Sequence, residues 1–165
     1  MTPAAANPRK SVLDHALPYF RDDPARILLV GDMGFGAIDR LAEACPGRVV
    51  NCGMMEPGTV GIAAGMALAG MRPVFYSIVN FLVFRSIEQI RNDVVAQGVD
   101  VKFIGTGADD YFRFLGVSHC CGKQDIELMR MVGVEVFDPY ADGAIPFPEM
   151  VGRWITSPRP GYLRV

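Results

Sequence analysis

The feature that most constrains this chain is its alternation of short, continuous apolar runs with segments of helical period, separated by turn residues. The expected strands are Arg26–Val30, Arg48–Cys52, Pro73–Ile78, Val101–Gly105, Val134–Phe137 and Tyr162–Val165. Most are apolar throughout rather than alternating, which is the pattern of parallel strands buried on both faces. The expected helices lie between them, at Val12–Phe20, Ile38–Ala44, Thr59–Ala69, Arg85–Ala96, Asp125–Met131 and Pro148–Ile155. Strand, helix, strand at this spacing predicts an α/β fold, a doubly wound, mostly parallel sheet of about six strands flanked by helices. Ligands of such sheets gather beyond the carboxyl ends of the strands, so the segments following each strand are the ones to inspect.

A length of 165 residues fits one domain, expected over residues 11–165 after a flexible Pro/Ala-rich arm at residues 1–10. Half of the residues are hydrophobic and only 21% are charged. A domain of this size cannot bury all of that surface, so the composition asks for an apolar partner interface. A net charge of -2 offers no basic footprint for nucleic acid or an anionic membrane. The arm lacks the apolar core of a signal peptide, and the run Thr59–Met71 is glycine-broken and too short to span a bilayer. Cys45, Cys52, Cys120 and Cys121 show no CxxC spacing and are expected as reduced thiols in a cytoplasm.

The most informative segment follows the second strand and runs from Asn51 to Leu68, with Glu56-Pro57-Gly58 at its turn into a helix. Pro57 suits the first helical position and biases Glu56 out of the α region, which predicts Glu56 as the N-cap at the mouth of the sheet. The helix then carries Gly61, Gly65 and Ala69 on one face. Each helical glycine costs about 1 kcal/mol against alanine, a cost that close approach of another backbone would offset. From spacing alone, Glu56 is equally well a solvent-exposed cap stabilised by the helix dipole. A dinucleotide site is a further reading, with Gly34-Phe35-Gly36 after the first strand and Glu56 as the ribose-binding acid, but the third glycine position of that fingerprint is Asp39.

Together these residues resemble the pyrimidine-binding domain of transketolase-type thiamine-diphosphate enzymes. The family pattern Asn-Val-Gly-Ile-Ala-Glu-Gln, then Val-Gly-Ile-Ala-Ala-Gly, corresponds to Asn51–Glu56 and Val60–Gly65. The likeness continues through Arg72–Phe81 and Glu88–Asp93 and extends from about Ile27 to the C-terminus. The resemblance implies that Glu56 hydrogen-bonds a ring nitrogen of the cofactor's aminopyrimidine. Protonating that nitrogen favours the imino tautomer, which removes the thiazolium proton and yields an ylid that attacks a carbonyl. It also implies that Met54 helps hold the cofactor bent, that Ile78, Phe81 and Phe84 surround the aminopyrimidine, and that Asp32 lies near the thiazolium. Read as isolated phenylalanines, Phe81 and Phe84 are core residues, and only the resemblance assigns them to the cofactor. His119 aligns with a histidine that faces the substrate, to hydrogen-bond its carbonyl oxygen or shuttle a proton. A zinc site of His119, Cys120 and Cys121 is the competing reading, disfavoured because adjacent side chains chelate one metal poorly.

Two departures bear on function. Sugar-processing members carry Asp-Gly-x-Thr-His where this chain has Leu115-Gly116-Val117-Ser118-His119. Leu115 cannot make the aspartate's contact to a donor hydroxyl, though Asp109, Asp110 or Arg113 in the same loop are candidates to reshape the pocket. The chain also lacks the family's Gly-Asp-Gly-to-Asn motif for diphosphate and magnesium. The expectation is one subunit of a split enzyme, inactive alone, whose partner chain supplies diphosphate and Mg2+ binding in an α2β2 assembly. A small keto substrate and two-carbon ketol or acyl transfer are implied. The alternatives are a 2-oxo acid decarboxylase or acyloin synthase subunit, or a non-catalytic scaffold.

Overall fold

The computed structural model describes residues 7–165. Six strands, β1 (Arg26–Val30), β2 (Val49–Asn51), β3 (Arg72–Ile78), β4 (Lys102–Thr106), β5 (Glu135–Phe137) and β6 (Gly161–Arg164), form one sheet in the order β2-β1-β3-β4-β6-β5. Every pairing is parallel. The α/β expectation holds, and the sheet is parallel throughout rather than mostly so. The helix α1 (Pro8–Asp22) precedes the first strand, and the crossovers carry α2 (Asp39–Ala44), α3 (Glu56–Leu68), α4 (Val79–Gln89), α5 (Gln124–Met131) and α6 (Phe147–Thr156).

Alternate residues of each strand feed opposite faces, as the pleat requires. Leu28, Val30, Val74, Tyr76, Ile104 and Leu163 pack with α1 and α6. Leu29, Phe75, Phe103 and Tyr162 pack with α3, α4 and the segment after it. Burial on both faces is the reason the inner strands β1, β3, β4 and β6 read as largely apolar runs, while the edge strands β2 and β5 are only partly covered. No helix among the described residues is long and apolar enough to cross a membrane.

The boundaries differ from expectation at three informative places. First, α1 begins at Pro8, so the last residues of the expected arm are helical, while residues 1–6 lie outside the described part. Asn7 caps this helix, its side chain accepting from the Arg9 N–H, and Pro8 needs no amide partner in the first turn. Second, α4 starts at Val79, directly after β3, not at Arg85. Ile78-Val79-Asn80-Phe81 reads locally as more strand, but burying Val79, Leu82 and Val83 against the sheet overrides that propensity. The helix then widens into a π segment at Ile90–Val95. Third, Glu56 is the first residue of α3, and the N-cap is Met55. Pro57 therefore occupies the second position, where its missing N–H is still harmless.

Gly105 in β4 shows how tightly the α3/α4 face is packed. A Cβ there would lie 2.5 Å from the Tyr162 hydroxyl, which donates to Asp125 at 2.7 Å. Gly105→Ala must displace this buried phenol. It is expected to destabilise the fold by about 1–3 kcal/mol, the cost of core overpacking, as a lower midpoint in urea unfolding followed by circular dichroism.

Candidate active site

The sequence-predicted site lies at the carboxyl ends of β1, β2 and β3. Glu56 stands at the amino end of α3 and is 1% exposed, which removes the solvent-exposed-cap reading. Ser77 donates to its Oε1 at 3.4 Å. Arg85 Nη1 donates to its Oε2 at 3.0 Å. A buried carboxylate needs such compensation, since desolvating an unpaired charge is costly. The strand end is built to admit it. A Cβ at Gly31 would come within 2.8 Å of Ser77 Oγ and 3.7 Å of Glu56 Oε1, so a side chain after β1 would push into this pair.

Arg85 is the functional candidate that sequence reasoning missed. Its guanidinium carbon lies 3.9 Å from the centroid of the Phe81 ring, a close cation–π contact. Phe81 and Arg85 stand four residues apart on α4, on the same helix face. An expected helix beginning at Arg85 hides that relation. The Phe81 and His119 rings meet in a T-shaped arrangement, with centroids 4.8 Å apart and planes at 68°. Asn80 Nδ2 donates to the Ser118 carbonyl at 2.7 Å, and Ser118 Oγ lies 3.1 Å from His119 Nδ1. The start of α4 thus holds the histidine loop beside the Glu56 pair.

Asp32 is also at this mouth. It adopts φ 50°, and its Oδ1 accepts from Asn51 Nδ2 at 2.9 Å. The Asn51 Oδ1 accepts in turn from the N–H groups of Asp32 and Gly53, at 3.1 and 2.9 Å. The side chain at the end of β2 therefore fixes both flanking turns. Asp32 and Ile78 border a common cavity of about 660 Å3, whose rim includes Arg9, Lys10 and Tyr76. Met54 is exposed in the turn before α3. Phe84, 44% exposed, borders a groove with Leu128 and Met131 of α5.

The loop after β4 carries His119 and is tied down by its own charges. Asp109 accepts from Arg164 Nη2 at 3.0 Å. Asp110 accepts from the Gly122 N–H at 2.7 Å and from Arg113 at 2.9 Å, and these bonds lower its pKa, the Gly122 contribution being the larger. All three charged residues that might have reshaped a substrate pocket are thus engaged in holding the loop. Leu115, Phe114 and Val117 are exposed beside His119. Burial, reinforced by Asp125, pushes the Cys121 thiol up to about 12, so it stays protonated. No group of three or more His, Cys, Asp or Glu side chains among the described residues could hold a metal ion.

In this geometry, a buried carboxylate is paired with an arginine that lies over an aromatic ring, and that ring in turn meets the histidine of the loop after β4. The family described as transketolase, pyrimidine binding domain, matches residues 8–142. The chain belongs to this family. Among the relatives of this pyrimidine-binding domain is the 6-deoxy-6-sulfo-D-fructose transketolase subunit SqwH of Clostridium sp. (strain MSTE9), 27% identical over 161 residues, covering 95% of this chain and 48% of that protein. An apulose-4-phosphate transketolase subunit of Phocaeicola vulgatus is 30% identical over 159 residues, covering 95% and 50%. A solved structure, "Split gene transketolase, inactive beta4 tetramer", superposes with a TM-score of 0.79 at 28% identity, covering 94% of this chain and 49% of that one. The chain spans about half the length, or less, of the curated relatives it matches. The positions of the dinucleotide reading do not reproduce its geometry, because Gly34 precedes a turn, Gly36 lies within it, and α2 begins only at Asp39.

Proposed function

We propose that this chain is the pyrimidine-binding part of a two-component, thiamine-diphosphate-dependent transketolase-like enzyme, with Glu56 as the acid that activates the cofactor. The single observation that carries the reading is a carboxylate buried to 1% exposure yet one hydrogen bond away from the half-exposed Arg85 and the Phe81 face. Such a carboxylate serves a planar nitrogen heterocycle by accepting one hydrogen bond while an aromatic ring takes its face. The residues present therefore fit the pyrimidine end of the cofactor. When bound, thiamine diphosphate would supply the carbanion chemistry through its thiazolium carbon.

Each residue then has a defined task. Glu56 holds or moves a proton at its carboxyl oxygen, and Ser77 fixes that oxygen. Phe81 offers the stacking surface, and Ile78 and Met54 line it with apolar atoms. Asp32 holds the turn on the thiazolium side. His119 presents its ring to the substrate carbonyl as hydrogen-bond donor or proton shuttle. Phe84, facing α5, suits a protein contact better than the ring.

Diphosphate and Mg2+ binding fall to a second chain in an α2β2 arrangement. Support comes from relatives named as transketolase subunits. The ridge of Gly61, Gly65 and Ala69 is exposed along α3 and its C-cap, available for close approach of another backbone. The four free thiols suit a cytoplasmic setting. A second reading, a 2-oxo acid decarboxylase or acyloin synthase subunit, is favoured by the exposed Leu115 in place of the sugar-contacting aspartate.

The test is calorimetric titration of thiamine diphosphate with Mg2+ into the purified chain, and into its complex with the diphosphate-binding chain. Saturable binding by the complex alone is the expected result. Tight binding and turnover by the isolated chain would overturn the split arrangement, and no binding by either would overturn the cofactor assignment.

A further inference from the structure

Resting on the reading of Glu56 and Phe81 as the pyrimidine seat, we infer that Arg85 is a built-in occupant of that seat, a latch that the incoming cofactor must displace. The guanidinium is planar and cationic, with its N–H donors in the plane and a π surface above and below. Those are the properties an aminopyrimidine shows when its ring nitrogen is protonated. Arg85 satisfies both halves of the seat at once, donating to Glu56 Oε2 at 3.0 Å and lying 3.9 Å over Phe81. A pyrimidine stacked on that face of Phe81 and bonded to that carboxylate would need the same space.

The arrangement has a physical use and a cost. A carboxylate with 1% exposure and no partner would be strongly unfavourable. Arg85 supplies the counter-charge before any cofactor arrives, which lets the acid be folded into place in advance. The Arg85 side chain is 46% exposed and sits on a flexible stem, so it can swing into solvent as the pyrimidine takes over its bonds. The exchange replaces one planar donor with another, and Glu56 keeps a partner before and after. The cost is competition: the seat is available to the cofactor only in the fraction of molecules whose arginine has left.

The test compares wild type, Arg85→Met and Arg85→Lys in the reconstituted complex, with thiamine diphosphate and Mg2+ as the ligand. Stopped-flow fluorescence reads the association rate and calorimetry reads Kd, while urea unfolding checks the fold. Arg85→Met keeps much of the volume without charge or planarity and is expected to raise the association rate and lower Kd by about tenfold. Arg85→Lys retains a point charge but neither fork nor flat face, and is expected to fall between. Should the methionine variant not fold, the lysine variant decides alone, a rise of about twofold or more supporting the latch. Unchanged or weaker binding by the folded variants would overturn it and make Arg85 a contact of the loaded site. Failure of the wild-type complex itself to bind thiamine diphosphate would instead overturn the underlying cofactor reading.

Discussion

Glu56→Gln in the reconstituted complex is expected to lower turnover by about 100- to 10,000-fold, the range typical of losing a positioned acid or base. Glutamine has nearly the same shape and can still accept a hydrogen bond from Ser77 or Arg85, the groups that touch Glu56 Oε1 and Oε2. It cannot hold and return a proton. The variant should therefore fold and assemble, which size-exclusion chromatography checks alongside steady-state assays. The distinguishing readout is exchange of the thiazolium C2 proton into deuterated water, which should slow with turnover because activation precedes every substrate step. Undiminished turnover would favour the non-catalytic scaffold, since a scaffold has no chemical need for an acid at this position.

Arg164→Met is expected to have the largest effect on stability. Arg164 is fully buried at the end of β6 and donates to Asp125 at 2.9 Å, to Asp109 at 3.0 Å and to the Gly122 carbonyl at 3.2 Å, with Asp138 at 3.4 Å. Burial by itself would lower the guanidinium pKa, but the bonds to Asp109 and the charges of Asp125 and Asp138 outweigh it and hold it above the ordinary value. Removing the cation strands Asp125, itself fully buried, among other carboxylates. Breaking a buried pair from one side costs about 3–5 kcal/mol. Urea unfolding should show a shift of that size, and adding Asp125→Asn should recover part of it. A shift below about 1 kcal/mol would mean that the network relaxes or admits water. Because Asp109 and Gly122 flank the His119 loop, the same variant should loosen that loop and raise its amide hydrogen exchange.

Much of the fold was legible in the sequence because parallel strands buried on both faces leave an unambiguous signature. The expected β1 matches the observed Arg26–Val30 without change, and the other strands differ by a residue or so at their ends. Of the helices, α4 was the least legible. Its first turn is made of residues with strand-like local preference, and only burial of Val79, Leu82 and Val83 decides the matter. That error had a consequence at the site, because a helix drawn from Arg85 separates Arg85 from Phe81. The loop charges show the same limit. Asp109, Asp110 and Arg113 look available for substrate in the sequence, yet their partners are Arg164, Gly122 and one another.

The sequence by itself determined the α/β class, the position of Glu56 at the start of a glycine-rich helix, and the likeness to a pyrimidine-binding domain. These are properties of neighbours along the chain, carried by periodicities of two and 3.6 residues and by the restrictions of proline and glycine. Only the tertiary structure decided that Glu56 is buried, that its partners are Ser77 and Arg85, 21 and 29 residues away, and that Phe84 borders a groove with α5. Those outcomes depend on strand order, register and the packing of α4 on the sheet, which bring distant residues together and leave no periodic trace in any one segment.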